Sequence, residues 1–154
     1  MRYHDLHLVG YEVSDHGGSI VLHLAYDYPG RAKEESSIEF SGVVAYHFIH
    51  TGGAIITDLT ELPLADLLLR VGDRLGEWWR QHGGYQLWDD DREKYGAKLR
   101  ESGCRAWTID SAIGFEGFVI AKAIAQKETN RVAGRAILPA PAPPDMRDGN
   151  SQSQ

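Results

Sequence analysis

The chain has 154 residues, 42% of them hydrophobic and 25% charged, with one cysteine and a formal net charge of −6. That length fits one domain with a core of its own, and the composition excludes collagen-like, disulfide-stapled and wholly disordered chains. No apolar run approaches the roughly 20 residues of a membrane span, and the opening Met1-Arg2-Tyr3-His4-Asp5 lacks a secretory apolar stretch, so a cytoplasmic protein with no membrane partner is expected.

The first 60 residues read as strands. Leu6, Leu8, Val9, Tyr11 and Val13 form a mixed apolar run, which Asp15-His16-Gly17-Gly18 ends with turn chemistry. Ile20, Leu22, Leu24 and Tyr26 then alternate with Val21, His23, Ala25 and Asp27, the period of a half-buried strand. Tyr28-Pro29-Gly30 closes it. Ile38, Phe40, Gly42, Val44, Tyr46 and Phe48 repeat the alternation and predict one long strand. Thr51-Gly52-Gly53 reads as a hairpin, with Ala54 to Asp58 returning. The simplest arrangement is a four-strand antiparallel meander, with Ile20, Leu22, Leu24, Phe40, Val44, Tyr46 and Phe48 on its buried face.

At Pro63 the period changes. Leu64, Leu67, Leu68, Val71, Leu75, Trp78 and Trp79 recur at helical spacing and predict a helix over 63–82, stopped by Gly83-Gly84. Gly72 and Gly76 inside it each cost about 1 kcal/mol relative to alanine, and suggest close packing on the sheet. A second helix is expected over 91–101, with Asp90 and Glu93 as its capping box. Residues 105–112 read as a strand, Gly114-Phe115-Glu116-Gly117 as a turn, and 118–125 as a strand rather than an alanine-rich helix. A weak strand is expected over 132–138. The fold class is therefore α+β with a mainly antiparallel sheet: one domain over 1–138, followed by a Pro- and polar-rich tail over 139–154 that has almost nothing to bury.

Charge is uneven along the chain. Residues 1–62 hold three basic residues (Arg2, Arg31, Lys33) and nine acidic ones, so the whole net charge of −6 arises there. Nucleic-acid binding needs a basic patch, so no nucleic-acid partner is expected. An acidic surface instead steers a basic partner. Asp15, Asp27, Glu34, Glu35, Glu39 and Asp58 are the candidate contacts, Glu34 and Glu35 foremost because they fall in the polar 29–37 connection. Among the aromatics Trp78, Trp79, Tyr85, Trp88 and Trp107, Trp88 stands beside Asp89-Asp90-Asp91 and is the candidate anchor.

Other chemistry is thinner. His7, His23 and His47 could share a sheet face with Asp27, Glu39 or Asp58 and bind a transition metal. That requires a register the residues do not specify, so no metal and no cofactor is expected. Cys104 has Arg105 beside it but no catalytic signature around it.

Two stretches have a familiar order. They are Ile38 to Phe48 followed by Ile55-Ile56-Thr57-Asp58-Leu59-Thr60-Glu61, and Trp107-Thr108-Ile109-Asp110-Ser111 through Gly117-Phe118-Val119-Ile120-Ala121. Together they resemble small bacterial α+β proteins, among them immunity proteins of polymorphic toxin systems. The resemblance spans roughly residues 3–125 and rests on core-strand patterns, so it carries no catalytic residue across. It implies a non-enzymatic protein that binds and blocks a partner such as a toxin, and the acidic first half is compatible with a basic protein partner in that role. The alternative is a small enzyme or ligand-binding protein using the His/carboxylate cluster.

Overall fold

Four strands, two helices and two further strands follow one another in a computed structural model that describes residues 5–82 and 91–131. Among these residues the order is β1 (Leu6–Ser14), β2 (Ser19–Tyr26), β3 (Glu34–Ser41), β4 (Ala45–Leu62), α1 (Leu64–His82), α2 (Arg92–Glu101), β5 (Arg105–Ala121) and β6 (Ala123–Arg131). The six strands form one antiparallel sheet ordered β5-β4-β1-β2-β3-β6. The fold is α+β. None of the described helices is long and apolar enough to cross a membrane. Val132–Leu138, the tail and Trp88 lie outside the described residues.

Two long arms organise the sheet. β3 and β4 are almost one strand, and so are β5 and β6, and the two run antiparallel along their length. Both bend at the same place. Gly42 takes φ +63, and the Lys122 N–H donates to the Ser41 and Gly42 carbonyls at 3.1 and 3.2 Å. The β1–β2 hairpin then stitches the bent arms together, β2 to β3 and β1 to β4. The sheet curls around Leu8, Ile20, Leu22, Leu24, Ile38, Phe40, Ile56, Trp107, Ile109 and Val119.

The expected elements are therefore corrected on three points. Ile38 to Phe48 is broken at 42–44. No hairpin forms at Thr51-Gly52-Gly53, because β4 runs straight through it. No turn forms at Gly114–Gly117, because β5 does the same. Both groups of glycines serve one feature. The β4–β5 register slips between His50 and Ile55, opposite Ile113 to Phe115. A Cβ on Gly114, which has φ +76, would run into the Gly52 and Gly53 carbonyls. Glycine marks a bulge where two backbones touch, not a reversal. Because of the bend, Val44 and Tyr46 are also not buried; each is 41% exposed. Phe48 is half-buried against the inner core.

The helices form a second core on the outer face of β4 and β5. Leu64, Leu67, Leu68, Val71 and Leu75 of α1 and Leu99 of α2 pack on Cys104, Ala106, Phe118 and Ile120. Each fully buried leucine contributes roughly 1.5–3 kcal/mol. The Pro63 carbonyl starts α1, accepting from the Asp66 and Leu67 N–H groups. The cap of α2 is Asp91 rather than Asp90: its Oδ1 accepts from the Lys94 N–H at 2.9 Å. Gly72 serves the helix pair, not the sheet, since a Cβ there would sit 2.9 Å from the Arg92 guanidinium, which pairs with Asp73.

Candidate functional site

β1 and β4 are joined over three residues. Leu6, His7 and Leu8 pair with Ile56, Ile55 and Ala54, and there the ladder stops. Val9 is the cause. It is the extra residue of a bulge between Leu8 and Gly10, and a bulge bends and twists its strand. Beyond it Gly10–Ser14 continue along β2, while Ala45–His50 continue along β5. The two facing edges share no ladder among the described residues. They meet again at the far end, where the Val43 N–H donates to the Gly18 carbonyl at 3.0 Å. The result is a split in the sheet, closed at both ends.

Aromatic rings line this split from the inner face. Tyr11 lies opposite Leu22 and Val13 opposite Ile20, both buried residues, so Tyr11 and Val13 belong to the core side. They are nevertheless 38% and 41% exposed. The Tyr11 ring stands 5.2 Å from Phe48 across the split, edge-on, and Phe48 lies 5.5 Å from Tyr46. Phe115 backs Phe48 at 5.1 Å. At the lower end a cavity of about 400 Å³ is lined by Asp15, His16, Gly17, Gly18, Val43, Val44, Ala45, Tyr46, Leu75 and Phe118. The turn beside it is conformationally costly. Asp15, His16 and Gly17 take φ of 51, 51 and 91, and only the glycine does so freely.

The fold redistributes the acidic candidates. β1, β2, β3 and β4 contain no lysine or arginine and carry Glu12, Glu34, Glu35, Glu39, Asp58 and Glu61. Bases from elsewhere meet several of these acids. Lys127 donates to Glu39 at 2.6 Å, Arg105 donates to Glu61 at 3.2 Å, and Lys33 lies 2.8 Å from Glu35. The Glu35 hydrogen bond and charge hold the Lys33 pKa above its ordinary value. Glu34 and Glu35 are not in a connection; they open β3, opposite Tyr26 and Ala25. Asp27 is exposed just past β2. Asp58 accepts from the Leu59 N–H at 2.8 Å and from Thr60 Oγ1 at 3.1 Å, a local cap. Two acids that border the split have no lysine or arginine partner among the described residues. Glu12 is hydrogen-bonded to His23 at 3.0 Å, and Asp15 lines the cavity.

The His/carboxylate cluster does not form. His7 sits opposite Ala25 with its ring 5.1 Å from Tyr28. His23 is engaged with Glu12. His47 faces Phe118 on the half of the sheet that α1 covers. Burial lowers the His47 pKa, Arg74 lowers it further, and Glu116 opposes them. Among the described residues no group of three or more His, Cys, Asp or Glu is placed to hold a metal ion. Cys104 is buried in the helix core. Tyr11, Glu12 and Tyr46 were missed as site residues. The alternation over 38–48 points Tyr46 to the core, and Tyr11 and Glu12 belong to a run with no clear period.

The split brings together apolar rings, two strand edges that share no ladder among the described residues, and two carboxylates. Comparison with known proteins gives no matching family model, curated protein or solved structure.

Proposed function

We propose that the chain is a non-enzymatic protein-binding protein that takes a basic partner and blocks it, as an immunity protein blocks a toxin. One observation carries this reading. Half-exposed Tyr11, Val13 and Tyr46 lie on strands that carry carboxylates and no lysine or arginine, and equally exposed Val44 directly precedes β4. A stable monomer seldom leaves core-facing aromatics open, and contiguous exposed apolar surface marks interaction sites. Glu12 and Asp15 supply the charge at the split. Asp27, Glu34 and Glu35 extend the acidic surface at the opposite end of β2.

The test uses the full chain as bait, in parallel with a Glu12→Lys/Asp15→Lys double variant. The partner retained from host extract is identified by mass spectrometry and purified. Its association rate with each bait is then measured at two salt concentrations. The reading expects a basic partner, association that slows with salt, and a drop of at least about tenfold on charge reversal. An association rate unmoved by both salt and reversal overturns the electrostatic basis. A captured partner that the protein turns over chemically overturns the non-enzymatic one.

A further inference from the structure

We infer that the split between β1 and β4 receives one extended segment of the partner, which adds to the sheet as an inserted strand. This rests on the protein-binding reading above and specifies its mode. In an antiparallel sheet alternate N–H and C=O groups of each strand point to each edge. Gly10–Ser14 are laddered to β2 alone and Ala45–His50 to β5 alone, so each strand presents a polar edge toward the split. Exposed edges of this kind are templates for another strand. The six residues Ala45–His50 of β4 set the length, about 20 Å at about 3.3 Å per residue.

The side chains set the pattern of the occupant. Tyr11 and Val13 face the core side, with Tyr46 and Phe48 opposite them. Glu12 lies on the other face, opposite Val21 and bonded to His23. A strand laid between them alternates its own side chains between these two faces. Residues turned inward meet aromatic rings, and residues turned outward pass Glu12, with Asp15 at the exit. The segment that fits is about six residues long and alternates apolar residues with lysine or arginine. The absence of any lysine or arginine from β1–β4 is the charge complementarity that selects it.

The full-length protein is panned against a phage-displayed library of random dodecapeptides, with a Tyr46→Ser/Glu12→Lys variant as the counter-target. The leading peptide is synthesised in normal form and with alternate backbone amides N-methylated. Expected are an apolar–basic alternation among enriched peptides and at least a tenfold loss of affinity on N-methylation. Binding should also slow amide exchange in Gly10–Ser14 and Ala45–His50. Peptides that bind equally well when N-methylated, or that protect other residues, overturn strand insertion and leave the protein-binding reading intact. Failure of the wild type to enrich anything over the variant also overturns insertion, while the partner kinetics described above judge the broader reading independently. Exchange protection of the same strands that grows with protein concentration alone assigns the split to a second copy and overturns the partner-segment proposal.

Discussion

On the β4–β5 half of the sheet both faces carry packed side chains: Ile56 and Ile109 join the inner core, Phe118 and Ile120 the helices. On the β1–β2–β3 half the inner face alone is packed, and the outer face carries Val21, His23, Glu35 and Glu39 at partial exposure and Glu12 exposed. The first half is closed by backbone-to-backbone contact at Gly114, where β5 presses on Gly52 and Gly53. The second half opens at a bulge, and Gly10 beside that bulge has no atom within 4 Å of where a Cβ would stand. Both halves use glycine and both use irregular pairing. In one the irregularity tightens the sheet, and in the other it parts two strands. The difference separates the part that holds the fold from the part that remains available to bind.

The largest expected effect tests whether the rim belongs to the core. Phe40 is fully buried beside Trp107, with ring centroids 5.6 Å apart. Phe40→Ala should cost about 3–5 kcal/mol. Tyr46→Ser, at a position of the same sequence alternation, should cost less than about 1 kcal/mol. Urea denaturation of the two variants checks both. Equal losses would make the rim part of the core and dissolve the contrast.

Next come the two glycines. Gly114→Ala should destabilise by about 3 kcal/mol, combining a left-handed backbone with a collision against carbonyls. Gly10→Ala should be neutral or stabilise by a few tenths of a kcal/mol, since it meets nothing and restricts the unfolded chain. Comparable losses at both positions would show that the β1 bulge is as tightly built as the β5 one.

These positions also explain what could be read from the residues alone. The change of period at Pro63 located α1 to within a residue, because a helix is a local object with a local repeat. Ile20, Leu22, Leu24 and Phe40 were correctly expected in the core for the same reason. Gly52-Gly53 and Gly114 were misread because a hairpin and a bulge demand the same backbone freedom. What separates them is the strand opposite, more than 60 residues away. The site suffered from the same dependence on distant pairing. The −6 confined to residues 1–62 looked like a free acidic surface. Lys127 and Arg105 cross from the other half of the chain to meet Glu39 and Glu61. Only the register shows that Glu12 and Asp15 are left beside the aromatic rim.

A smaller effect concerns the turn at the foot of the split. His16 holds a left-handed conformation that costs a non-glycine residue roughly 1–2 kcal/mol. Part of that is returned through the larger unfolded entropy of glycine. His16→Gly should therefore stabilise the protein by about 0.5–1 kcal/mol if the turn is simply a connector. Thermal melting reads it. A loss of stability would mean that the imidazole holds the turn and the adjoining cavity wall together.

The smallest effect is a pH dependence that belongs to the helix-backed half. His47 is partly buried, faces Phe118, and has Arg74 and Glu116 as charged neighbours, themselves 3.7 Å apart. Burial first, and Arg74 second, hold its folded-state pKa below the ordinary histidine value. The unfolded chain therefore binds the proton more readily than the folded one, and stability rises with pH between the folded and unfolded pKa values. As pH falls from above about 6.5, His47 should progressively destabilise the protein, until the folded-state ring is itself protonated and the slope disappears. His47→Gln removes this proton uptake and leaves the carboxylates in place. The melting temperature of wild type should thus fall further between pH 7.5 and pH 5 than that of the variant. The bare half contributes His23, exposed and bonded to Glu12, so a His23→Gln variant serves as the control for a histidine outside the helix core. If His47→Gln follows the wild-type curve throughout, the outer face of β4 is wetter than its packing against α1 implies. The two halves would then differ less than their cores suggest.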